Sequence, residues 1–244
     1  MQKLISASMS DTSKMDDDGN SLQSSNLSYE SNSQSCIFIG IDLSGPSNTS
    51  DTALCCYDGH QVSVISDLND AQIVEFLQKI DAKTKVLLAI DAPLSYNEGG
   101  GYRDIDTALR QKLNQKGFSQ LGVMPPTLTK MVYLTMRGMR LRELCVQFSN
   151  IQIFETHPGG SLALDGINYE SIKRIKKDPL AVKQIWQQLT GRYIFLEMLK
   201  CDEIPKNDHE MMSIAAMLSV YRKHNHDQFF EQSSSILGQP SLIL

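Results

Sequence analysis

An apolar segment that ends in an aspartate occurs twice in this sequence, and it constrains the fold more than any other feature. Residues 36–41 lead to Asp42, and residues 86–90 lead to Asp91. Short apolar segments that are rich in β-branched residues and precede turn residues are typical of buried strands. A carboxylate at the end of such a strand loses hydration, so it needs a hydrogen bond, a proton or a cation. If the two strands are neighbours, Asp42 and Asp91 lie at one edge of a sheet, and a proton or a metal ion relieves their repulsion.

The other segments predict a mixed α/β fold. Residues 51–57 and 61–66 predict two strands joined by Asp58-Gly59, a dipeptide typical of hairpin turns. We therefore expect three antiparallel strands, then a helix over 70–80 that crosses to the strand ending at Asp91. Residues 97–126 are rich in glycine and charge. The later pattern predicts a helix over 129–148, a strand over 151–155, two helices within 168–199 that break at Asp178-Pro179, and a helix over 208–224.

Composition predicts one folded domain after a polar amino-terminal tail. Residues 1–34 are dominated by Ser, Asn, Asp and Gln. They offer few apolar side chains to offset the entropy of ordering, so we expect a disordered tail, with a short helix over residues 1–9 as the alternative. Residues 35–244 are expected to form a single domain, because a chain of 244 residues that is 41% apolar can bury one sizeable core.

Charge, cysteine content and hydropathy limit the functional classes. A net charge of −5 argues against a surface coated with positive charge, although it allows a local basic groove. The five cysteines are odd in number and contain no C-x-x-C pair, so we expect free thiols in a reducing compartment. No apolar run reaches the roughly 18 residues of a membrane span, and no secretory signal is visible. The predicted location is therefore cytoplasmic, without a membrane partner, and the oligomeric state is left open.

Further acidic residues extend the candidate site. Glu155 also follows an apolar strand, and three carboxylates at strand ends would form a hard-oxygen site suited to Mg²⁺ or Mn²⁺. Such ions can orient a water and stabilise the leaving oxygen in phosphodiester cleavage. Asp208 or Glu210, at the start of the last predicted helix, is a candidate fourth carboxylate. Glu210 also fits a local capping box with Asn207, which would serve only to stabilise the helix.

A histidine and several basic residues complete the predicted site. His157 has an ordinary pKa near neutrality and is a candidate for proton transfer, but it fits equally well a histidine bonded to the backbone of the turn at 158–160. Arg103, Arg110 and Arg137 are candidate phosphate contacts, and a second basic cluster covers residues 173–192. Positive side chains beside an acidic metal site suit a nucleic acid, although charged helix faces are often only solvated.

Short motifs in a fixed order carry a family resemblance. They are Gly40-Ile41-Asp42-Leu43-Ser44-Gly45-Pro46, Ile90-Asp91-Ala92-Pro93-Leu94-Ser95, Arg103 with Asp106 and Arg110, Pro125-Pro126-Thr127, Leu134-Thr135-Met136-Arg137-Gly138, Glu155-Thr156-His157-Pro158-Gly159-Gly160-Ser161, and His209-Glu210 with Ala215-Ala216. From about residue 36 to the end, the chain resembles the domain of unknown function 429 family, which is described as predicted nucleases with a ribonuclease H-like fold.

The resemblance implies a ribonuclease H-like mixed sheet of five strands, the first three antiparallel and the later ones parallel, flanked by helices. It also implies that Asp42 and Asp91 are metal ligands. The family pattern has an acid where this chain has Met212. The resemblance therefore implies a weakened or inactive site, unless Asp208 or Glu210 substitutes.

Three functions remain as hypotheses. The first is a Mg²⁺- or Mn²⁺-dependent nuclease that acts on DNA or RNA. The second is a non-catalytic nucleic-acid-binding protein on the same fold, which agrees with Met212. The third is an ATP-dependent phosphotransferase of the actin and sugar-kinase kind, because residues 42–45 resemble the first phosphate loop of those enzymes, although they use two lobes around the nucleotide.

Overall fold

Seven strands form one mixed sheet at the centre of the structure, which is a computed structural model that describes residues 36–199, 205–225, 227, 229–235 and 238–244. The strands are β1 (Cys36–Asp42), β2 (Ala53–Tyr57), β3 (Val62–Ser66), β4 (Lys85–Asp91), β5 (Ile151–Thr156), β6 (Glu231–Gln232) and β7 (Leu242–Ile243). Their order across the sheet is β3-β2-β1-β4-β5-β7-β6. The first three strands are antiparallel, whereas β4 runs parallel to β1 and β5 runs parallel to β4.

This topology confirms the predicted mixed α/β fold and is compatible with a ribonuclease H-like sheet. The predicted number of five strands is wrong, because β7 pairs in parallel with β5 and β6 pairs with β7. Each of these extra strands is two residues long. An alternating pattern cannot be recognised over two residues, so only the pairing reveals them.

Seven α-helices flank the sheet among the described residues. They are α1 (Asp70–Gln78), α2 (Asp104–Gln115), α3 (Val132–Cys145), α4 (Pro158–Leu164), α5 (Tyr169–Arg174), α6 (Pro179–Thr190) and α7 (Asp208–His224). Short 3₁₀ turns occur at Thr49–Asp51 and Ile194–Met198. The predicted helices correspond to α1, α3, α5, α6 and α7, and the bounds of α7 agree exactly with the prediction.

Two helices were missed by the sequence interpretation. The charged residues of 97–126 obscured α2, whose buried positions Ile105, Leu109 and Leu113 follow one another at helical spacing. The turn predicted at 158–160 is in fact the first turn of α4, which has proline at its first position. Proline is favoured there because its missing N–H has no partner inside the helix.

The two faces of the sheet carry separate apolar cores. Phe38 and Leu87 belong to the core on the α7 side, whereas Ile39 and Leu88 belong to the core on the side of α1 and α3. Side chains of a strand alternate between faces with a period of two residues. The last residues of β1 and β4, at positions 42 and 91, therefore share the α7 side with Phe38 and Leu87.

Helix α7 approaches β1 so closely that their backbones touch at Gly40. A Cβ atom at this glycine would lie 2.0 Å from the backbone nitrogen of Met217 and 2.3 Å from the backbone oxygen of Ser213. Neither atom can move without shifting the helix itself. Glycine is therefore required at position 40 by the contact between strand and helix rather than by its backbone angles.

The described cysteines are buried free thiols, namely Cys36, Cys55, Cys56 and Cys145. Burial raises the pKa of Cys56 and of Cys145 to about 12. Cys201 and the predicted disordered tail at 1–34 lie outside the described residues. Within the described part of the chain, no helix combines the length and the apolar character needed to cross a bilayer.

We predict that Gly40→Ala lowers the free energy of unfolding by at least about 2–3 kcal/mol, because the new methyl group overpacks a backbone contact. Thermal unfolding followed by circular dichroism measures the loss. Gly45→Ala is the matched control, since a Cβ there meets nothing within 4 Å. Equal melting temperatures for the two variants would contradict the close approach of α7 to β1.

Candidate active site

Two aspartates from neighbouring strands form the centre of the candidate site. Parallel pairing places Asp42 directly beside Asp91 in register, with both side chains on the same face of the sheet. Burial, followed by the charge and hydrogen bond of Asp42, raises the pKa of Asp91 well above its ordinary value. Two neighbouring carboxylates resist ionising together, so a proton or a cation between them would relieve their repulsion.

His209 contacts Asp42 from the first turn of α7. Its Nδ1 lies 2.7 Å from Asp42 Oδ2, which is hydrogen-bonding distance. Its Nε2 lies 3.6 Å from Asp51 Oδ2 and 3.9 Å from Asp208 Oδ2. The hydrogen bond to Asp42 raises the pKa of His209, burial opposes this shift, and the charges of Asp208 and Asp51 add to the increase.

These side chains line an open cleft of about 590 Å³, which we call the acidic cleft. Its walls include Asp42, Asp91, Asp208, His209, Met212, His157, Lys173 and Lys176. The acids come from the ends of β1 and β4 and from the start of α7. The lysines come from α5 and from the turn that follows it, so the cleft has an acidic wall and a basic wall.

Glu155 does not join the two aspartates. It pairs in register with Leu242 of β7 and lies next to Ile90 rather than Asp91, so its side chain points to the opposite face of the sheet. There the Arg103 guanidinium donates to Glu155 Oε1 at 2.5 Å and to Glu155 Oε2 at 2.8 Å. The Leu94 amide also donates to Oε2, at 2.8 Å. The expectation that Glu155 shares a cation with Asp42 and Asp91 is corrected by this placement.

Arg103 and Arg137 are structural residues rather than exposed phosphate contacts. Arg103 is only 2% exposed and is held between Glu155 and Asp106. Arg137 is 5% exposed and donates to Asp70 and to the Ser44 carbonyl, each at 2.8 Å. Both guanidinium groups donate to partners inside the protein. The prediction that Arg103 and Arg137 contact substrate phosphates is therefore wrong.

Arg110 is exposed but lies away from the acidic cleft. Its guanidinium carbon lies 4.3 Å from the centre of the Tyr102 ring, in a cation–π contact. Arg110 is not among the residues that line the cleft. The cations that face Asp42 and Asp91 are instead Lys173 and Lys176.

His157 lines the cleft, but its ring is bonded to the backbone of α4. Its Nδ1 accepts from the Gly160 amide at 2.9 Å, which caps α4, so the ring hydrogen is on Nε2. Burial lowers the pKa of His157, against the effect of a hydrogen bond to the backbone of Gly122. This bond agrees with the alternative prediction for His157, that of a histidine bonded to the backbone at 158–160.

Asp208 and Glu210 lie on different sides of α7. Asp208 lines the acidic cleft, and its side chain is 19% exposed. Glu210 faces away, because its oxygens accept from the Ser66 hydroxyl at 2.8 Å and from the Lys206 amide at 2.7 Å. Glu210 thus connects α7 to β3 and is not available to the cleft. Met212, one turn after Asp208, lines the cleft with an apolar side chain.

Asp42 and Asp91 could bind a metal ion only together with further ligands. Within the described ranges, no group of three or more His, Cys, Asp or Glu side chains is arranged to hold a metal ion. Asp42 and Asp91 are two hard oxygen ligands side by side. Mg²⁺ in proteins is commonly bound by one or two carboxylates, with water and substrate phosphates as the other ligands. The pair therefore fits a cation that arrives with water or with a phosphate substrate.

Among the cleft residues that were absent from the predicted site are His209 and Lys176. His209 belongs to a motif visible in the sequence, but its contact with Asp42 depends on the packing of α7 against β1. Lys176 belongs to a basic cluster that a solvated helix face would explain equally well. No local pattern distinguishes these two residues from their neighbours, because each contacts the cleft through tertiary structure.

The fold and the site together define an α/β protein with a pair of aspartates at the carboxyl edge of parallel strands. The model of the family described as "Protein of unknown function (DUF429)" matches residues 40–177, which is more than half of the chain. The chain therefore belongs to this family, as its motifs predicted. Comparison with curated proteins and with solved structures gave no match.

We predict that Asp91→Asn raises the melting temperature at pH 7, because an amide can donate to Asp42 and carries no charge. The pKa of Asp91 is raised in the folded state. The contribution of protonated Asp91 to the free energy of unfolding is therefore complete below its unfolded pKa of about 3.9, and it is lost as the pH rises through the folded pKa. The gap between variant and wild type should therefore be small at pH 3 and open toward pH 7. A change of 1 kcal/mol shifts the melting temperature of a domain of this size by about 2–4 °C.

Thermal melts across this pH range measure the effect, with Glu197→Gln as a control at an exposed acid. A variant that melts below the wild type at pH 7 would show that Asp91 is not under repulsion from Asp42.

Proposed function

We propose that this protein is a Mg²⁺- or Mn²⁺-dependent phosphodiester hydrolase that acts on nucleic acid, with the acidic cleft as its active site. The observation that carries the proposal is the placement of Asp42 and Asp91 side by side in register on an open cleft. Most acidic side chains that serve only stability are paired with a cation, as Glu155 is with Arg103. Perturbed carboxyl pairs in clefts are typical of functional sites.

Asp42 and Asp91 would hold the cation, and the residues around them would prepare the reaction. When bound, the ion would polarise the phosphate and help to activate a water. Hydrolysis forms a bond from the water oxygen to phosphorus and breaks the bond from phosphorus to the leaving alcohol. The water gives up a proton, and the leaving oxygen gains one. His209 is oriented by Asp42 through Nδ1, so its Nε2 supports a role in holding a proton at the cleft.

The basic wall of the cleft supports an anionic substrate. Lys173 is bonded to Glu170 at 2.7 Å and also lies over the Tyr169 ring. Lys176 lies close enough to Asp91 for its charge to lower the pKa of that carboxyl. We assign Lys176 as the main phosphate contact, in place of the three arginines. The buried free thiols further support a reducing location, and we propose that the protein acts in the cytoplasm.

The first test is cleavage by the purified full-length protein, with MgCl₂ or MnCl₂, of single-stranded and double-stranded DNA and RNA. Asp42→Asn and Asp91→Asn should each lower the cleavage rate at least about 100-fold, the scale expected for loss of a direct transition-state interaction. Glu197→Gln, at an exposed acid, should match the wild type. Cleavage that persists in both aspartate variants would refute the proposed site.

A protein that binds nucleic acid without cleaving any substrate, indifferently to metal and more weakly in salt, would instead be the non-catalytic binding protein. That result would remove the hydrolase proposal while leaving the basic wall as a binding surface.

Lys176→Met should raise KM for the cleaved substrate by about tenfold or more, because the loss of one phosphate contact removes a charge-assisted interaction. Lys177→Met is the matched control, since it removes the same charge from the next residue, which is exposed and does not line the cleft. Steady-state kinetics at two salt concentrations measure both. If the two variants are equally impaired, the effect is one of overall charge and Lys176 has no specific contact.

A further inference from the structure

A second cavity adjoins the acidic cleft, and we call it the side chamber. Its volume is about 270 Å³. It shares Asp91, His157 and Lys176 with the cleft, so the two are contiguous on either side of these residues. A group bound at Asp91 and Lys176 therefore has a second cavity within reach.

Most of the chamber wall is apolar. It includes Pro93, Leu109, Val123, Met124, Met131 and Leu134, from the end of β4, from α2 and α3, and from the segment between them. Thioether side chains make favourable contacts with aromatic rings and adapt to their shape. The wall therefore favours an uncharged, flat group over a second phosphate.

Apart from Asp91 and Lys176, which the chamber shares with the cleft, the charged residues of the chamber already bind one another. All three nitrogens of the Arg103 guanidinium donate to Asp106, Glu155 or Ser95, at distances between 2.5 and 3.3 Å. Away from Asp91 and Lys176, two acids and one arginine leave this part of the chamber with a net negative charge and without a guanidinium N–H to offer. An anion beside Asp106 and Glu155 would be repelled and unpaired, which costs free energy.

We propose that the side chamber binds an uncharged aromatic ring of the substrate, namely a nucleobase, while the phosphate of the same nucleotide lies between Asp91 and Lys176. This inference rests on the proposed function and specifies its substrate. A base that enters the chamber must be unstacked and unpaired, so the substrate is a nucleotide or a single-stranded end rather than an intact duplex.

The test compares two ligands that share a phosphate and differ in the base. Isothermal titration calorimetry with MgCl₂ present measures the binding of adenosine 5′-monophosphate and of ribose 5-phosphate to the full-length protein. The wild type should bind the nucleotide at least about tenfold more tightly, because only the nucleotide buries a ring. Equal affinities, or no binding of the nucleotide at millimolar concentration, would overturn the proposal.

Variants locate the binding of the base. Met124→Trp, at a residue that is 40% exposed, should fill the chamber and reduce the affinity for the nucleotide to that for ribose 5-phosphate, whose own affinity stays unchanged. Met131→Trp provides a second variant if the first fails to fold. Met136→Trp is the control, since Met136 lies on α3, is 61% exposed and lines neither cavity. Nucleotide binding by both chamber variants at the level of this control would overturn the proposal.

The test of base binding can fail or succeed independently of the test of cleavage. A base preference without metal-dependent cleavage of any nucleic acid would keep the chamber and refute the hydrolase. Cleavage by a wild-type protein that shows no base preference would keep the hydrolase and refute the chamber.

Discussion

The direct backbone contact between β1 and α7 at Gly40 is the constraint on which the candidate site depends. Because position 40 carries no side chain, α7 can lie against the sheet at a distance that any other residue would forbid. Asp42 is two residues further along the same face of β1, and it meets the first turn of the helix there. His209 thereby reaches Asp42 Oδ2 at 2.7 Å. One absent Cβ therefore connects the packing of the core with the chemistry of the cleft.

The acidic residues at the strand ends have two different kinds of neighbour. Glu155 is buried and fully compensated, because Arg103 binds both of its oxygens. Asp42 and Asp91 lie beside each other, and the charge of Asp42 is one of the causes that raise the pKa of Asp91. The apolar residues of β1 and β4 stabilise the strand pairing that holds these charges together. Strain of this kind is typical of sites where stability has been given up for function.

The distribution of positive charge follows from the same distinction. Arg103 and Arg137 each form several internal hydrogen bonds, and a planar guanidinium with several fixed donors suits that purpose. The cleft instead faces two lysines, whose flexible side chains each carry a single compact charge. Arginines that form a basic cluster in the sequence can therefore be buried and bonded inside the protein. The lysines that line the cleft remain as positive charges for a ligand there.

The sequence by itself determined the strands that end in Asp42 and Asp91, the antiparallel start of the sheet, the bounds of α7 and the family. These follow from local periodicity, turn residues and motifs, all of which are encoded by neighbouring residues. The tertiary structure alone decided that Glu155 binds Arg103 instead of joining the aspartates, that His209 and Lys176 face the aspartates, and that Arg103 is buried. Those outcomes depend on the register between strands that are distant in the chain. A shift of one residue moves a side chain to the other face without changing the local pattern.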